Sequence, residues 1–214
     1  MPETFADVGH CVDAVLRRVG SRVVLALPLG IGKPNPLVNE FYRRARRDAG
    51  LDLTILTALS LLKPVARSAL EARLLDPLVA RVFGSYVEPE YARDLRADRL
   101  PPNVRVVEFF LTPGAFLHSG HAQRNYLSAN YPHVARDGLA RGVNVIAQLL
   151  AHRVVNGEVE LSFGSNGDWV GKTRACKASL FQWRSVSSPL PWGWSAFISS
   201  SVCPSATCRW ARVT

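Results

Sequence analysis

Four short runs rich in Val, Leu and Ile constrain this chain more than any other feature. They are RVVLAL (22–27), LDLTILTAL (51–59), NVRVVEFF (103–110) and VNVIAQLLA (143–151). A strand with one wet face alternates apolar and polar residues. A short, nearly continuous apolar run reads instead as a strand buried on both faces, as in parallel sheets. The stretches between the runs have helical spacing. Val8, Val12, Val15, Leu16 and Val19 recur at helical intervals over 6–19, with Arg17 and Arg18 at the end and Gly20 as the stop. Leu37, Phe41 and Ala45 mark a second helix, with Arg43, Arg44, Arg46 and Arg47 turned to water. Further helices are predicted over 67–82, with Pro77 as a kink or junction, over 89–98 as a short polar helix, and over 133–142. Pro101-Pro102 breaks the chain before the third strand, and Asn156-Gly157 between β-rich runs signals a hairpin. Strands alternating with helices imply βαβ units. The expected fold is therefore α/β: an open, mostly parallel sheet with helices on both faces, followed by an irregular C-terminal tail.

The tail is set apart by composition. The chain of 214 residues has a net charge of +9, but no acid follows Asp168, while Lys172, Arg174, Lys177, Arg184, Arg209 and Arg212 do. The residues before it are close to balanced. All five tryptophans, Trp169 to Trp210, lie in the same stretch, with Cys176, Cys203 and Cys208. No sustained period of either kind runs through it. The sequence therefore divides into a domain over 1–164 and an aberrant basic tail over 165–214, either out of frame or poorly ordered. The charge alone suggests nucleic acid. It lacks the basic and aromatic interleaving on a defined element that such binding uses, so no nucleic-acid partner is expected. The cysteine spacing does not match a zinc site, and His118, His121 and His133 are expected at surface or capping positions, so no metal is expected. No apolar run reaches the roughly 18 residues of a membrane span. The opening MPETFADVGHCVDAV has early acids and no basic, then apolar, leader pattern. The expectation is a cytoplasmic chain with no membrane partner.

The loop after the first strand, PLGIGKPNPL, carries the strongest chemical signal. A P-loop needs four residues between its glycines and a Ser or Thr after its lysine, and this loop has neither. A dinucleotide fingerprint needs a third glycine, where Asn35 stands. Two readings remain open. Gly30, Gly32 and Lys33, stiffened by Pro34 and Pro36, can offer backbone N–H groups and a cation to an anion at a helix N-terminus. Alternatively, the glycines only permit a tight turn. A second loop, LSANYPH, places Ser128, Asn130 and Tyr131 as donors for a carboxylate or as local turn caps.

Five segments, "LALPLGIGKPNPLVNEFYRRA", "LDLTILTALSLLKP", "LLDPLVARVFGSY", "LRADRLPPNVRVVEFFLTPGAFL" and "AQRNYLSANYPHVARDGLARGVNVIAQLLA", resemble in order the N-terminal region of the acetyl-CoA hydrolase/transferase family. These are relatives of class I CoA-transferases that include 4-hydroxybutyrate CoA-transferase. The resemblance covers roughly residues 9–164. It implies one of two similar α/β domains. It implies a reaction passing CoA from an acyl-CoA to a small carboxylate or to water, through attack of a glutamate carboxylate on the thioester and stabilisation of the oxyanion by backbone amides. Coenzyme A is then a substrate, and no cofactor is required. The resemblance makes Gly30, Gly32, Lys33, Pro34 and Asn35 the expected lining of the substrate cleft, with Ser128 and Asn130 in a second lining loop.

Family members are far longer, and their catalytic glutamate and main CoA loop belong to the second half. No catalytic residue is therefore assigned: Glu40, Glu71, Glu108 and Glu158 do not match the family position, and each is expected on a solvated face or strand end. Three classes follow: an enzyme, a substrate-binding subunit completed by a second-half chain, and an inactive remnant of a frameshifted gene. The protein partners expected are a second-half chain or further copies of the chain in a homo-oligomer. Two physical expectations accompany them. The domain by itself should expose an unusually large apolar surface, and replacing Lys33 with alanine should matter only with the partner half present.

Overall fold

A computed structural model describes residues 3–155, 158–162, 179–184 and 192–200, and beyond residue 151 it describes backbone alone. In chain order the elements are β1 (Glu3–Phe5), α1 (Val8–Val19), β2 (Arg22–Leu29), α2 (Asn35–Arg47), β3 (Asp52–Ala58), α3 (Ala69–Phe83), α4 (Glu90–Arg96), β4 (Val104–Glu108), α5 (Gly120–Arg124), α6 (Val134–Ala140), β5 (Val145–Val155), β6 (Glu158–Ser162), β7 (Ser179–Arg184) and β8 (Trp192–Ser200). Strands β4, β3, β2 and β5 lie side by side in that order, all parallel. These are the four apolar runs of the sequence.

Burial on both faces explains their composition. In β2, Val23, Leu25 and Leu27 pack on one side with Leu53 and Ile55 of β3, beneath Val12 and Val15 of α1, Leu37 and Phe41 of α2, and Tyr91 of α4. The alternate residues Val24 and Ala26 pack on the other side with Leu56, Ala58 and Val107, beneath Val134 and Ala135 of α6. The sheet thus has helices on both faces. Strand β6 folds back on β5, with Val155 paired to Glu158 on either side of Asn156-Gly157. Within 165–214, the described residues form β7 and β8, which extend the sheet from β5, and β1 lies parallel to β7. The rest of that stretch, and with it the reading of an irregular tail, lies outside the described residues.

Three local features differ from expectation. The helix over 89–98 is not polar: α4 buries Tyr91, Ala92 and Leu95, because its four-residue spacing of large side chains faces the core. Pro77 lies inside a continuous α3, which buries no residue at all. The third is Asn144, whose side chain behaves as a strand residue. Its Oδ1 accepts from Val24 N–H at 2.8 Å and its Nδ2 donates to Arg22 O at 2.8 Å, continuing the β5–β2 ladder below its first residue.

The free edge of β4 is covered by the chain that follows it. His121 Nε2 sits against Val106, 3.1 Å from N and 3.2 Å from O, accepting or donating according to tautomer. Leu127 N–H donates to Glu108 O. An edge closed in this way is not available for pairing with another chain. Burial lowers the His121 pKa from the ordinary 6.5. The unfolded chain therefore takes up this proton first, so the contribution is complete above about 6.5 and is lost as the pH falls below it. Urea denaturation between about pH 7 and pH 5 should show a steeper loss for the native chain than for His121→Ala. Equal slopes would mean that the ring does not hold the edge.

Candidate functional site

The carboxyl ends of the parallel strands are where a crevice is expected in such a sheet. The chain steps from β2 to β3 to β4 in one direction, then crosses back so that β5 lies on the other side of β2. At its carboxyl end β5 turns back into β6, which pairs with it on the edge facing β2 and opposite β8. Open α/β sheets bind ligands outside the carboxyl ends of their parallel strands. The Gly30–Gly32 turn stands at the carboxyl end of β2. Gly30 has φ +61°, a left-handed conformation that a residue with a Cβ adopts only under strain. Both glycines are buried.

Lys33 does not reach outward. It is 2% exposed, and its Nζ donates to the carbonyls of Ala58 (2.5 Å), Leu59 (3.0 Å) and Gly30 (3.2 Å). An ammonium has three N–H groups, and three carbonyls take them. Lys33 therefore ties the turn after β2 to the end of β3, and it is not presented to an anion as the sequence suggested. The physical reason is local: β3 ends on Ala58, and the carbonyls at that point have no strand partner. Leu59 is held beside them at φ +47°, with its N–H donating to Phe110 O at 2.9 Å. A leucine in this region stores strain of about 1 kcal/mol.

Pro34 and Asn35 open α2. Pro34 O accepts from Leu37 and Val38 N–H, as the first carbonyl of the helix. Asn35 is buried, with Nδ2 donating to Val87 O at 2.7 Å. One turn later Asn39 repeats the device, donating to Glu88 O and accepting from Glu90 N–H. These two amides fasten the segment leading into α4 against α2. Ser128 and Asn130, by contrast, are exposed. Asn130 precedes the short turn Tyr131–His133, and its side chain makes no capping hydrogen bond there. Both loops lie at the carboxyl end of the sheet. β2 and β4 are two strands apart, roughly 10 Å in the hydrogen-bonding direction.

Beneath the loops lies a polar cluster that the sequence reading did not assemble. Glu108, the last residue of β4, is at a strand end as expected but is 2% exposed and not solvated. The Ser60 hydroxyl donates to Glu108 Oε1. With that hydrogen committed, the Tyr91 hydroxyl donates to Ser60 Oγ, at 2.7 Å. Glu108 Oε2 has no hydrogen-bond partner among the described residues. Burial raises the carboxyl pKa above its ordinary value, against the opposing pull of Ser60 and of the Lys33 charge. Burial likewise raises the Tyr91 phenol. Burial thus makes the carboxyl of the Tyr91–Ser60–Glu108 chain release its proton less readily than a solvated glutamate. Its one sequence signal is an acid between apolar neighbours in NVRVVEFF.

The two described clefts, of about 530 and 350 Å³, lie elsewhere. The larger runs between Gly20, Ser21 and Leu51, at the opposite ends of β2 and β3, with Glu40 and Arg44 on its wall. Arg44 is already engaged there by Asp13, Glu40 and Gly9 O. The smaller lies among Arg43, Arg46, Arg47 and Glu90. Neither contains a residue of the carboxyl-end layer. Among the described residues, no helix is long and apolar enough to cross a membrane. Comparison of the chain with protein-family models, with curated proteins and with solved structures finds no match.

Proposed function

We propose that this chain forms one wall of a site that moves CoA between an acyl-CoA and a small carboxylate or water, the nucleophilic glutamate being supplied by a second half. The second half belongs either to the same polypeptide or to another one. The observation that carries this reading is a group of exposed apolar side chains at the carboxyl end of the sheet. Ile31, Phe110, Tyr126 and Tyr131 are all exposed, and all lie next to the carboxyl ends of β2 and β4 or in the loop that returns to Glu108. Toward the opposite ends Leu117, beside the Ser119–Asp98 contact, and Leu139, in the last turn of α6, are exposed as well. Apolar side chains gathered at one end of a sheet mark a contact surface, and the crevice lies at that end.

The carboxylates within reach fit this division of labour. A nucleophilic carboxylate must be ionised to attack a thioester. Glu108 is buried with its pKa raised, so it is a poor nucleophile. Glu40 is bound to Arg44 by the cleft at the other end. Glu71 accepts from Arg67 N–H at the start of α3. The role left to this half is to shape and line the crevice. In the proposed reaction the partner's glutamate displaces CoA from the thioester, and backbone N–H groups of the Gly30–Gly32 turn face the oxyanion. Ser128 and Asn130 offer donors to the incoming carboxylate. Coenzyme A enters and leaves as a substrate.

The test is acetyl-CoA turnover by the purified chain, read as free thiol, with and without succinate. The expected result is no release above the uncatalysed rate by the chain itself, and release once a second-domain polypeptide of a full-length CoA-transferase is added. Turnover without that addition would place the nucleophile among these residues and overturn the division proposed here. Failure of the addition to restore any turnover would remove the reading altogether.

A further inference from the structure

Helix α3 is the anomaly of the fold. It is 15 residues long, contains Pro77, and buries none of its residues. An isolated helix of this length is marginal in water, and an internal proline removes one of its hydrogen bonds at a cost of about 3 kcal/mol. Its amino end is well made: Ser68 Oγ accepts from Glu71 N–H, and Glu71 returns the bond to Arg67 N–H. Such a cap offsets only about 1 kcal/mol. Most helical stability in proteins comes from covering an apolar face. The face left uncovered is a stripe of Leu70, Leu74, Leu78 and Val82, which are 77, 79, 53 and 66% exposed.

The charges on this stripe select its occupant. At 100° per residue the four aliphatic side chains span about 120° of the helix, and Glu71 and Arg81 stand about 40° to either side of its centre line. The whole set is symmetric about Asp76: Leu74 and Leu78 are two residues away, Glu71 and Arg81 five, Leu70 and Val82 six. Asp76 itself lies on the back of the helix, opposite the stripe. Laid antiparallel on its own copy, the stripe sets Leu74 against Leu78 at the centre and Leu70 against Val82 at both ends. Each Glu71 then comes level with an Arg81. A parallel pairing would put like charges side by side.

We infer that α3 is the interface of a two-fold dimer of this chain, formed by antiparallel packing of the Leu70–Leu74–Leu78–Val82 stripe on itself. The surface is self-complementary in shape and charge, as an isologous contact requires. The inference does not depend on the reaction proposed above. One helix pair makes a small interface, so the dissociation constant is expected on the order of 10 μM.

Sedimentation velocity of the full chain across that concentration is the test. A monomer–dimer equilibrium is expected. Leu74→Asp with Leu78→Asp should abolish the dimer while leaving the far-ultraviolet circular dichroism of the rest of the fold. Arg81→Glu, which sets two acids against each other at each end, should weaken the dimer roughly tenfold. Adding Glu71→Arg to Arg81→Glu should restore it, since the pair is re-formed with its signs exchanged. A chain that stays monomeric, a dimer indifferent to the leucine changes, or a double charge exchange no better than the single one would each overturn the inference. Should the leucine variant fail to fold, the charge exchange still decides, because both side chains are exposed.

Discussion

Lys33→Ala lowers the stability of the chain by about 3 kcal/mol, whether or not a substrate or partner half is present. The argument rests on what the ammonium leaves behind. The carbonyls of Gly30 and Ala58 lose their donor in a buried place, and that of Leu59 in a half-buried one. Each such buried orphan costs about 1–3 kcal/mol. Part of this is offset because the desolvation of the cation is no longer incurred. Lys33→Met, which keeps most of the volume, separates the two effects and should lose about 2 kcal/mol. Urea denaturation of the three forms, repeated with acetyl-CoA, measures both. A ligand-binding lysine on an open loop would leave the midpoint in buffer unchanged, and that result would return Lys33 to the site as the sequence presented it.

The second large effect concerns Glu108. Glu108→Ala should cost about 3 kcal/mol, through a cavity and the loss of the acceptor for Ser60. Glu108→Gln keeps size and hydrogen bonding but cannot ionise. The folded carboxyl holds its proton above the ordinary 4.5, where the unfolded chain has released it. The unfolded state then binds fewer protons, so stability is greatest below 4.5 and falls as the pH rises through the window up to the raised folded value. Glu108→Gln removes this slope. The glutamine variant should gain on the native chain steadily across that window, read as the difference between their urea midpoints. Parallel midpoints would show that the carboxyl titrates normally and that burial does not make it hold its proton.

The architecture was legible because both faces of the sheet are covered. When β2 buries Val23, Leu25 and Leu27 on one face and Val24 and Ala26 on the other, its sequence has to be an unbroken apolar run, and such runs are visible by eye. The same holds for the helices whose stripes face the core. The α4 reading missed because seven residues with four charges look polar unless one knows that Tyr91 and Leu95 share a face. At the site, the glycine turn was located correctly because Gly30 and Gly32 end a strand. The direction of Lys33 was not legible. It depends on the unpaired carbonyls of β3, supplied by a segment 25 residues further on. Glu108, Ser60 and Tyr91 come from three elements, and no spacing in the sequence predicts that they meet. Ser128 and Asn130 reach the expected end of the sheet because Leu127 N–H is taken by Glu108 O, a contact the sequence does not announce.

The amide of Asn144 has a consequence for the order in which the molecule can assemble. Of the four parallel strands, β5 is made last and must be inserted beside β2, which is made first. The two share only two paired positions, Leu25 with Val145 and Ala26 with Ile146. So short a ladder could slip by one residue at little enthalpic loss, and a slip of one turns every side chain of the incoming strand to the wrong layer. The side chain of Asn144 meets a donor at Val24 and an acceptor at Arg22 only in the correct alignment. It therefore works as a key that recognises the docking position of the last strand. Closing a loop of some 120 residues is the slow entropic step for a sheet of this connectivity, and a strand that arrives late must be accepted or rejected on arrival.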